Sequence, residues 1–148
     1  MPRTRIELPE HFSFTCHIPV RITDINYGGH AGNDTVLSLL HEARMQFLRH
    51  SGYSEMDFGG TGMIMADVAI EFKSELFYGD IVQASVTLGE VSKIGFELLY
   101  KLEKQAGEIV RPVALAKTGM ICYDYSKKKI VTVPSEAMKK IANQETNQ

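Results

Sequence analysis

The chain has 148 residues, of which 44% are hydrophobic and 23% are charged, the composition of an ordinary globular domain. One domain of this length buries most of its apolar surface without disulfides or metals. The formal net charge of −2 and the lack of a basic run interleaved with aromatic residues argue against a nucleic-acid partner. Since the N-terminal residues lack an apolar signal core and no membrane-length apolar run occurs, we expect a cytoplasmic protein without membrane contact.

The first predicted element is a strand in which Cys16, Ile18, Val20 and Ile22 alternate on one face. The strand ends at Asp24, and the chain then turns through Gly28 and Gly29 towards a helix. Backbone N–H groups and the start of that helix are thereby aimed at one point, beside Asp24, Asn26 and His30. Such a point suits negative charge developing on an acyl oxygen, so acyl chemistry is the leading hypothesis.

A helix is predicted over roughly 34–50, with Asn33 or Asp34 as its N-cap and Gly52 as its stop. Its apolar positions cover about half of the helix circumference, which is typical of a helix embraced by a sheet rather than lying on a surface. These positions are Val36, Leu37, Leu39, Leu40, Ala43, Phe47 and Leu48.

Four further strands are predicted after a glycine-rich loop at 59–62, and they cover 63–72, 81–88, 96–102 and 109–125. Short turns between them predict an antiparallel sheet. The lysine run 127–129 is interpreted as a solvated turn, with contact to a phosphorylated carrier as the alternative. A short helix begins at Pro134, and a frayed tail follows from residue 144. The fold class is therefore α+β, one domain over 1–148 in which a curved antiparallel five-stranded sheet wraps around a long central helix.

The apolar face predicted for strand 63–72 comprises Ile64, Ala66, Val68, Ile70 and Phe72. Both cysteines, Cys16 and Cys122, fall within strand-like runs and lack metal-type spacing. Buried free thiols are therefore expected.

Two segments resemble hotdog-fold acyl-CoA thioesterases of the 4-hydroxybenzoyl-CoA thioesterase type. They are Val20–Asn33 and His41-Glu42-Ala43-Arg44, set against the pattern Arg-x-x-Asp-x-Asp-x-x-Gly-His-x-Asn-Asn with Glu-x-Arg on the helix. Ile70–Asp80 is similar to the strand and Gly-Asp turn of that family. The resemblance covers about residues 14–134, and it implies a hotdog fold, an acyl-CoA or acyl-carrier substrate and thioester hydrolysis.

The chain departs from this pattern where Asn26 replaces the second acid, which in the family commonly acts as nucleophile or base. An amide cannot accept a proton from water, although it can orient a carbonyl or a water molecule. The role of base or nucleophile is therefore expected at Glu42 or Asp24. Because hydrolysis of a thioester needs only a base, water and oxyanion stabilisation, we expect no metal or cofactor.

Substrate binding is expected at Tyr27, Gly28, Gly29 and His30, with the thioester carbonyl at the glycine turn and the acyl chain along the helix near Tyr27, Met63 and Met65. Structural alternatives stay open. Asp24 could tie down the turn, Glu42 could be a solvated or Arg-paired residue, and the His30 ring could bond a carbonyl at the helix entry. Asn26 is interpreted as a site residue because no predicted helix or turn requires its side chain.

Three other functions are weighed against hydrolysis. A zinc-protease helix is excluded because Met45 stands where the second histidine must be. A hotdog enoyl hydratase is a weaker alternative, since its proline is missing and His30 lies one residue too far along. A non-catalytic acyl-CoA or acyl-carrier-binding protein is the alternative from another class. Glu42 pointing into the cavity beside Asn26 would favour an enzyme.

The resemblance also implies a homodimer, stacked into a homotetramer, with sites at the subunit boundary. The loop Asp24–His30 would come from one chain, and the helix or the region Gly59–Asp67 from the other. An unpaired edge strand in a single chain supports the same expectation.

Overall fold

The computed structural model describes residues 3–143. In this range six strands form one antiparallel sheet, and a long helix packs against it. The elements are β1 Phe14–Pro19, α1 Asn33–His50, β2 Gly62–Phe72, β3 Ile81–Val91, β4 Gly95–Ala106, β5 Ile109–Asp124, β6 Lys129–Ile130 and α2 Ser135–Ala142. The predicted order of strand, helix and four strands is confirmed, and only the two-residue β6 is additional. The predicted tail at 144–148 lies outside the described residues.

The strands are arranged in the order β1-β3-β4-β5-β2, and every neighbouring pair is antiparallel. The pairing of β2 with β5 is irregular between Met65 and Asp67, and that of β3 with β4 between Leu88 and Val91. Because bulges bend strands and increase their twist, these irregularities help the sheet to curve. The predicted hairpin turn after β4 is present, with Gly107 at a φ of 68°.

The core lies between α1 and one face of the sheet. Leu40, Ala43, Phe47 and Leu48 of α1 are fully buried, as the helical pattern predicts. They share one apolar cluster with Val82 of β3, Leu98 of β4 and Ala116 of β5. Leu37, which was predicted to widen the apolar stripe, is instead 38% exposed. Within residues 3–143, no helix has the combination of length and apolar character that crossing a membrane requires.

Two local predictions around the first loop are wrong. Ile22 does not continue the inward face of β1, because the strand ends at Pro19 and Ile22 begins a single 3-10 turn where it is exposed. The N-cap of α1 is Gly32 rather than Asn33 or Asp34, and no side chain caps the helix. Loop hydrogen bonds therefore decide where this helix begins, in place of the usual side-chain cap.

Strand β2 is the part of the sheet that the chain covers least. It pairs with β5 along one edge, and at the other edge no strand among residues 3–143 pairs with it. Ile64, Val68 and Phe72, predicted as part of an apolar face, are exposed. Because α1 lies closest to β1 and β3, at the other end of the strand order, this apolar surface lies outside the core of the single chain.

Candidate functional site

The loop between β1 and α1 is held at several points by its own backbone. Asn26 N–H donates to the carbonyl of His30 at 3.1 Å, and Gly29 N–H donates to the carbonyl of Asn26 at 3.1 Å. Ala31 N–H then donates to the carbonyl of Leu76 at 2.8 Å, which ties the loop to the segment following β2. These bonds place two segments that are distant in sequence side by side.

The side chain of Asn26 is part of the turn. Its Oδ1 accepts the N–H of Gly28 at 2.9 Å, a side-chain turn of the kind that asparagine favours. The expectation that no turn requires Asn26 is therefore wrong. Its Nδ2 lies towards the helix start, since a Cβ added to Gly32 would be 3.3 Å from that atom. With Oδ1 anchored, Nδ2 is the donor that Asn26 presents to this end of the helix.

The backbone N–H groups at the start of α1 are a second set of hydrogen-bond donors, beside Nδ2 of Asn26. Intrahelical bonding begins with the N–H groups of Thr35 and Val36, which donate to the carbonyl of Gly32, and no side chain caps the helix. The preceding N–H groups therefore have no intrahelical acceptor, and the positive end of the helix dipole lies here. Gly28 and Gly29 were expected to supply donors, but their N–H groups are bonded to Asn26. The remaining donors are those of the helix start, where the carboxylate of Asp34 also lies, 2.7 Å from a Cβ added to Gly32.

His30 lies in the cleft beside the helix start. Its Nδ1 is 3.1 Å from the carbonyl oxygen of Ala31, and its Nε2 is 3.8 Å from Oε1 of Glu75. This cleft, of about 280 Å³, is called the helix-start cleft below. It is lined by His30, Ala31, Asn33, Val36, Phe72, Lys73, Ser74, Glu75 and Leu76.

Asp24 and Glu42 line a different cleft, of about 390 Å³, between β1 and α1, together with His17, Arg21, His41 and neighbouring residues. One oxygen of Asp24 accepts the backbone N–H of Arg21 at 2.8 Å and lies 3.7 Å from that guanidinium. Glu42 accepts a hydrogen bond from Gln46 at 2.8 Å. We call this the β1 cleft. The two predicted acids thus line the same cleft, and Asn26 is not among the residues that line it.

The residues predicted to surround an acyl chain do not converge within one chain. Tyr27 is fully exposed, Met63 is buried in the core, and Met65 is partly exposed on β2.

Asp67 of β2 lies over Gly119 of β5, where an added Cβ would be 2.7 Å from its carboxylate.

The two cysteine thiols of the core lie where burial disfavours their charged form. Burial, with a contribution from the charge of Glu42, raises the pKa of the Cys16 thiol to about 11. Burial also raises the pKa of Cys122. Both are free and buried, which confirms the expectation of buried free thiols. Across residues 3–143 no cluster of three or more His, Cys, Asp or Glu side chains is arranged to hold a metal ion.

A buried polar network between α1 and the sheet is not predicted from the sequence. Nη1 of Arg44 donates to the hydroxyl of Tyr100 at 3.2 Å, and its Nε donates to Glu55 at 3.3 Å. The Tyr100 hydroxyl is also 2.7 Å from that of Thr118. Because Arg44 and Tyr100 belong to elements far apart in sequence, only the arginine of the Glu-x-Arg pattern marked this network. It joins α1 to the sheet.

Glu75 was also missed, since 45 positions separate it from His30. The bond between Ala31 and Leu76 is what brings the two side chains together. Neither spacing nor composition signals this pair.

Residues 20–141 match a family model described as the thioesterase-like superfamily. Over 99 residues, 66% of this chain, the sequence is 31% identical to a curated Aquifex aeolicus protein named "Putative esterase", of which 73% is covered.

Solved structures agree on the fold. A 1,4-dihydroxy-2-naphthoyl-CoA thioesterase from Synechocystis matches with a TM-score of 0.76 at 20% identity, covering 87% of this chain and 94% of that one. The 4-hydroxybenzoyl-CoA thioesterase from Pseudomonas sp. strain CBS-3 matches with a TM-score of 0.76 at 15% identity, covering 86% and 97%.

Proposed function

The chain belongs to the thioesterase-like superfamily and has the hotdog fold, and from that premise we propose that it hydrolyses the thioester of an acyl-CoA or acyl carrier to a free acid and a thiol. The two solved relatives named above are CoA thioesterases with aromatic acyl groups. A CoA thioester is therefore the first substrate class to test.

The observation that carries this proposal is the uncapped start of α1 beside Nδ2 of Asn26. Hydrolysis of a thioester places negative charge on the carbonyl oxygen, and fixed donors aimed at that oxygen stabilise the charge. Because Oδ1 of Asn26 is held by Gly28, Nδ2 keeps its direction without help from the substrate. We assign the carbonyl oxygen to this place, between Nδ2 and the first N–H groups of the helix.

The two acids proposed from the sequence have different surroundings. Asp24 already accepts a backbone N–H and faces Arg21, so we propose that it stabilises the turn. Glu42 is an exposed side chain in the β1 cleft. Of the two acids, it is the one that stays a candidate for the general base. Tyr27 and the glycine turn are proposed to border the bound substrate.

A non-catalytic acyl-CoA or acyl-carrier-binding protein is the second candidate. One observation favours it, namely that the position of the family acid holds an amide whose oxygen is engaged in a turn. Binding would use the same donors at the helix start.

The deciding experiment measures thiol release from a panel of aromatic and aliphatic acyl-CoA esters. Hydrolysis of at least one ester is expected. Saturable binding of an ester without turnover would instead favour the binding protein.

Asn26→Ala should lower kcat about tenfold or more, because a positioned donor at the developing oxyanion is lost. Asn26→Asp is the matched variant, since a carboxylate can still accept the N–H of Gly28 but cannot donate. If Asn26 acts as a donor, both variants lose activity. A faster Asn26→Asp enzyme would show that the position calls for a base and would contradict the donor role.

A further inference from the structure

We propose that His30 is the general base of the reaction and that Glu75 is its positioning residue. This inference rests on the proposed thioester hydrolysis, and it names the group that replaces the acid missing at Asn26. Both side chains line the helix-start cleft together with Asn33, the first residue of α1. The base and the start of α1 would thus border one cleft, whereas Asp24 and Glu42 line the other.

The contacts of the imidazole define which nitrogen is basic. Nδ1 lies 3.1 Å from the carbonyl oxygen of Ala31. A carbonyl only accepts hydrogen bonds, so Nδ1 must carry the proton and the lone pair of the neutral ring is on Nε2. Nε2 in turn lies 3.8 Å from the carboxylate of Glu75. That distance is too long for a direct hydrogen bond but allows ion pairing once Nε2 is protonated.

The backbone that carries the ring is fixed by hydrogen bonds on both sides of His30. The carbonyl of His30 accepts the N–H of Asn26, and the next residue, Ala31, donates to Leu76. Gly28 lies against the imidazole, since an added Cβ there would be 3.1 Å from Cδ2 and Nε2. A glycine at that position therefore leaves room for the ring.

Charged groups of both signs lie near the ring. Glu75 is the acid paired with His30, and Lys73 is the cation in the same cleft. Lys73 is bound by Glu71 at 2.5 Å, which offsets its positive charge. On the first turn of α1, Asp34 approaches Gly32, where an added Cβ would be 2.7 Å from its carboxylate. Glu75 is thus the carboxylate within ion-pair distance of the ring.

The chemical step needs only water and the thioester. Nε2 of His30 removes a proton from water as the water oxygen bonds to the carbonyl carbon, and the carbonyl π electrons move to the oxygen at the helix start. When the tetrahedral intermediate collapses, the C–S bond breaks and the electron pair leaves with sulfur. The imidazolium returns its proton to the thiolate, which gives the acid, the thiol and neutral His30.

His30→Gln should lower kcat by about a hundredfold or more, the usual contribution of a general base, with a smaller change in KM. His30→Ala should show the same loss and recover part of its rate on addition of free imidazole. The control is His50→Gln, because His50 lies at the opposite end of α1 against Phe14. That variant should retain wild-type activity.

Glu75→Gln should lower kcat severalfold with little change in KM, because the ring loses the carboxylate beside Nε2 that positions it. A purely structural role for Glu75 would instead lower the stability of the fold and leave the kcat of the folded variant unchanged. Circular dichroism of each variant shows whether it is folded.

The outcomes separate this inference from the proposed function. If the wild-type protein hydrolyses an ester and the folded His30 variants keep their rate, the assignment of the base is overturned while the hydrolase remains. A hundredfold loss in Glu42→Gln with a normal rate in His30→Gln would likewise overturn it. A loss in Glu75→Gln equal to that in His30→Gln would assign the base to Glu75 instead. Absence of hydrolysis with all esters defeats the proposed function itself.

Discussion

At the scale of single residues, the same side-chain type takes different roles according to what it touches. Asp24 accepts a backbone N–H and is mostly shielded, with 14% of its side chain exposed. Glu42 accepts a hydrogen bond from Gln46, one turn further along the helix surface. Both acids are predicted from the sequence as candidate bases, and their contacts now suggest different consequences of removing the charge.

Asp24→Asn should lower the free energy of unfolding by about 1 kcal/mol, because a charged acceptor is lost from the turn, while the rate stays nearly normal. Glu42→Gln should change stability little. Urea unfolding and steady-state kinetics on the two variants check this. A hundredfold loss of rate in a folded Asp24→Asn variant would contradict its structural role.

At the scale of elements, α1 is attached to the sheet by polar bonds as well as by apolar packing. Tyr100 is fully buried, and its hydroxyl meets both Arg44 and Thr118. Burial raises the pKa of Tyr100, so its hydroxyl stays protonated and neutral at physiological pH. The polar groups of Arg44 and Thr118 depend on that hydroxyl.

Tyr100→Phe should therefore destabilise the protein by about 1–3 kcal/mol, the cost of leaving buried polar groups unsatisfied. The matched control is Tyr125→Phe, because Tyr125 is exposed at the end of the sheet. Thermal unfolding of both variants measures the difference. Equal Tm values for the two would show that the network contributes nothing to stability.

At the scale of the whole molecule, β2 leaves exposed apolar side chains on an edge that pairs with no strand in residues 3–143. An edge of this kind is prone to pair with another chain, and closed symmetric assemblies are the usual outcome. We therefore propose that two copies associate through β2. The helix-start cleft includes Phe72 at the end of this strand, so a partner bound there would border the cleft.

Light scattering at micromolar concentration should give a mass of a dimer or tetramer of the 16.6 kDa chain. Val68→Lys should lower that mass, because it puts a charge on the exposed face of β2. Val91→Lys, also at an exposed strand position, is the control and should not lower it. A wild-type mass near that of one chain would refute the assembly and any site shared between subunits.

Local patterning was sufficient to predict most of the fold. Alternation of apolar residues located the strands, and helical spacing located α1, because each pattern reflects which side of an element faces the core. The motif around Asp24 and Asn26 likewise led to the correct family. These are properties of neighbouring residues, so the sequence determines them by itself.

The arrangement of the site was decided only by the tertiary structure. Asn26 is turned towards the helix by the N–H of Gly28, and the glycine turn thereby loses the donors expected of it. His30 meets Glu75 because Ala31 bonds to Leu76 across 45 positions of sequence. Hydrogen bonds between distant segments depend on the packed backbone, and no periodic pattern in the sequence encodes them.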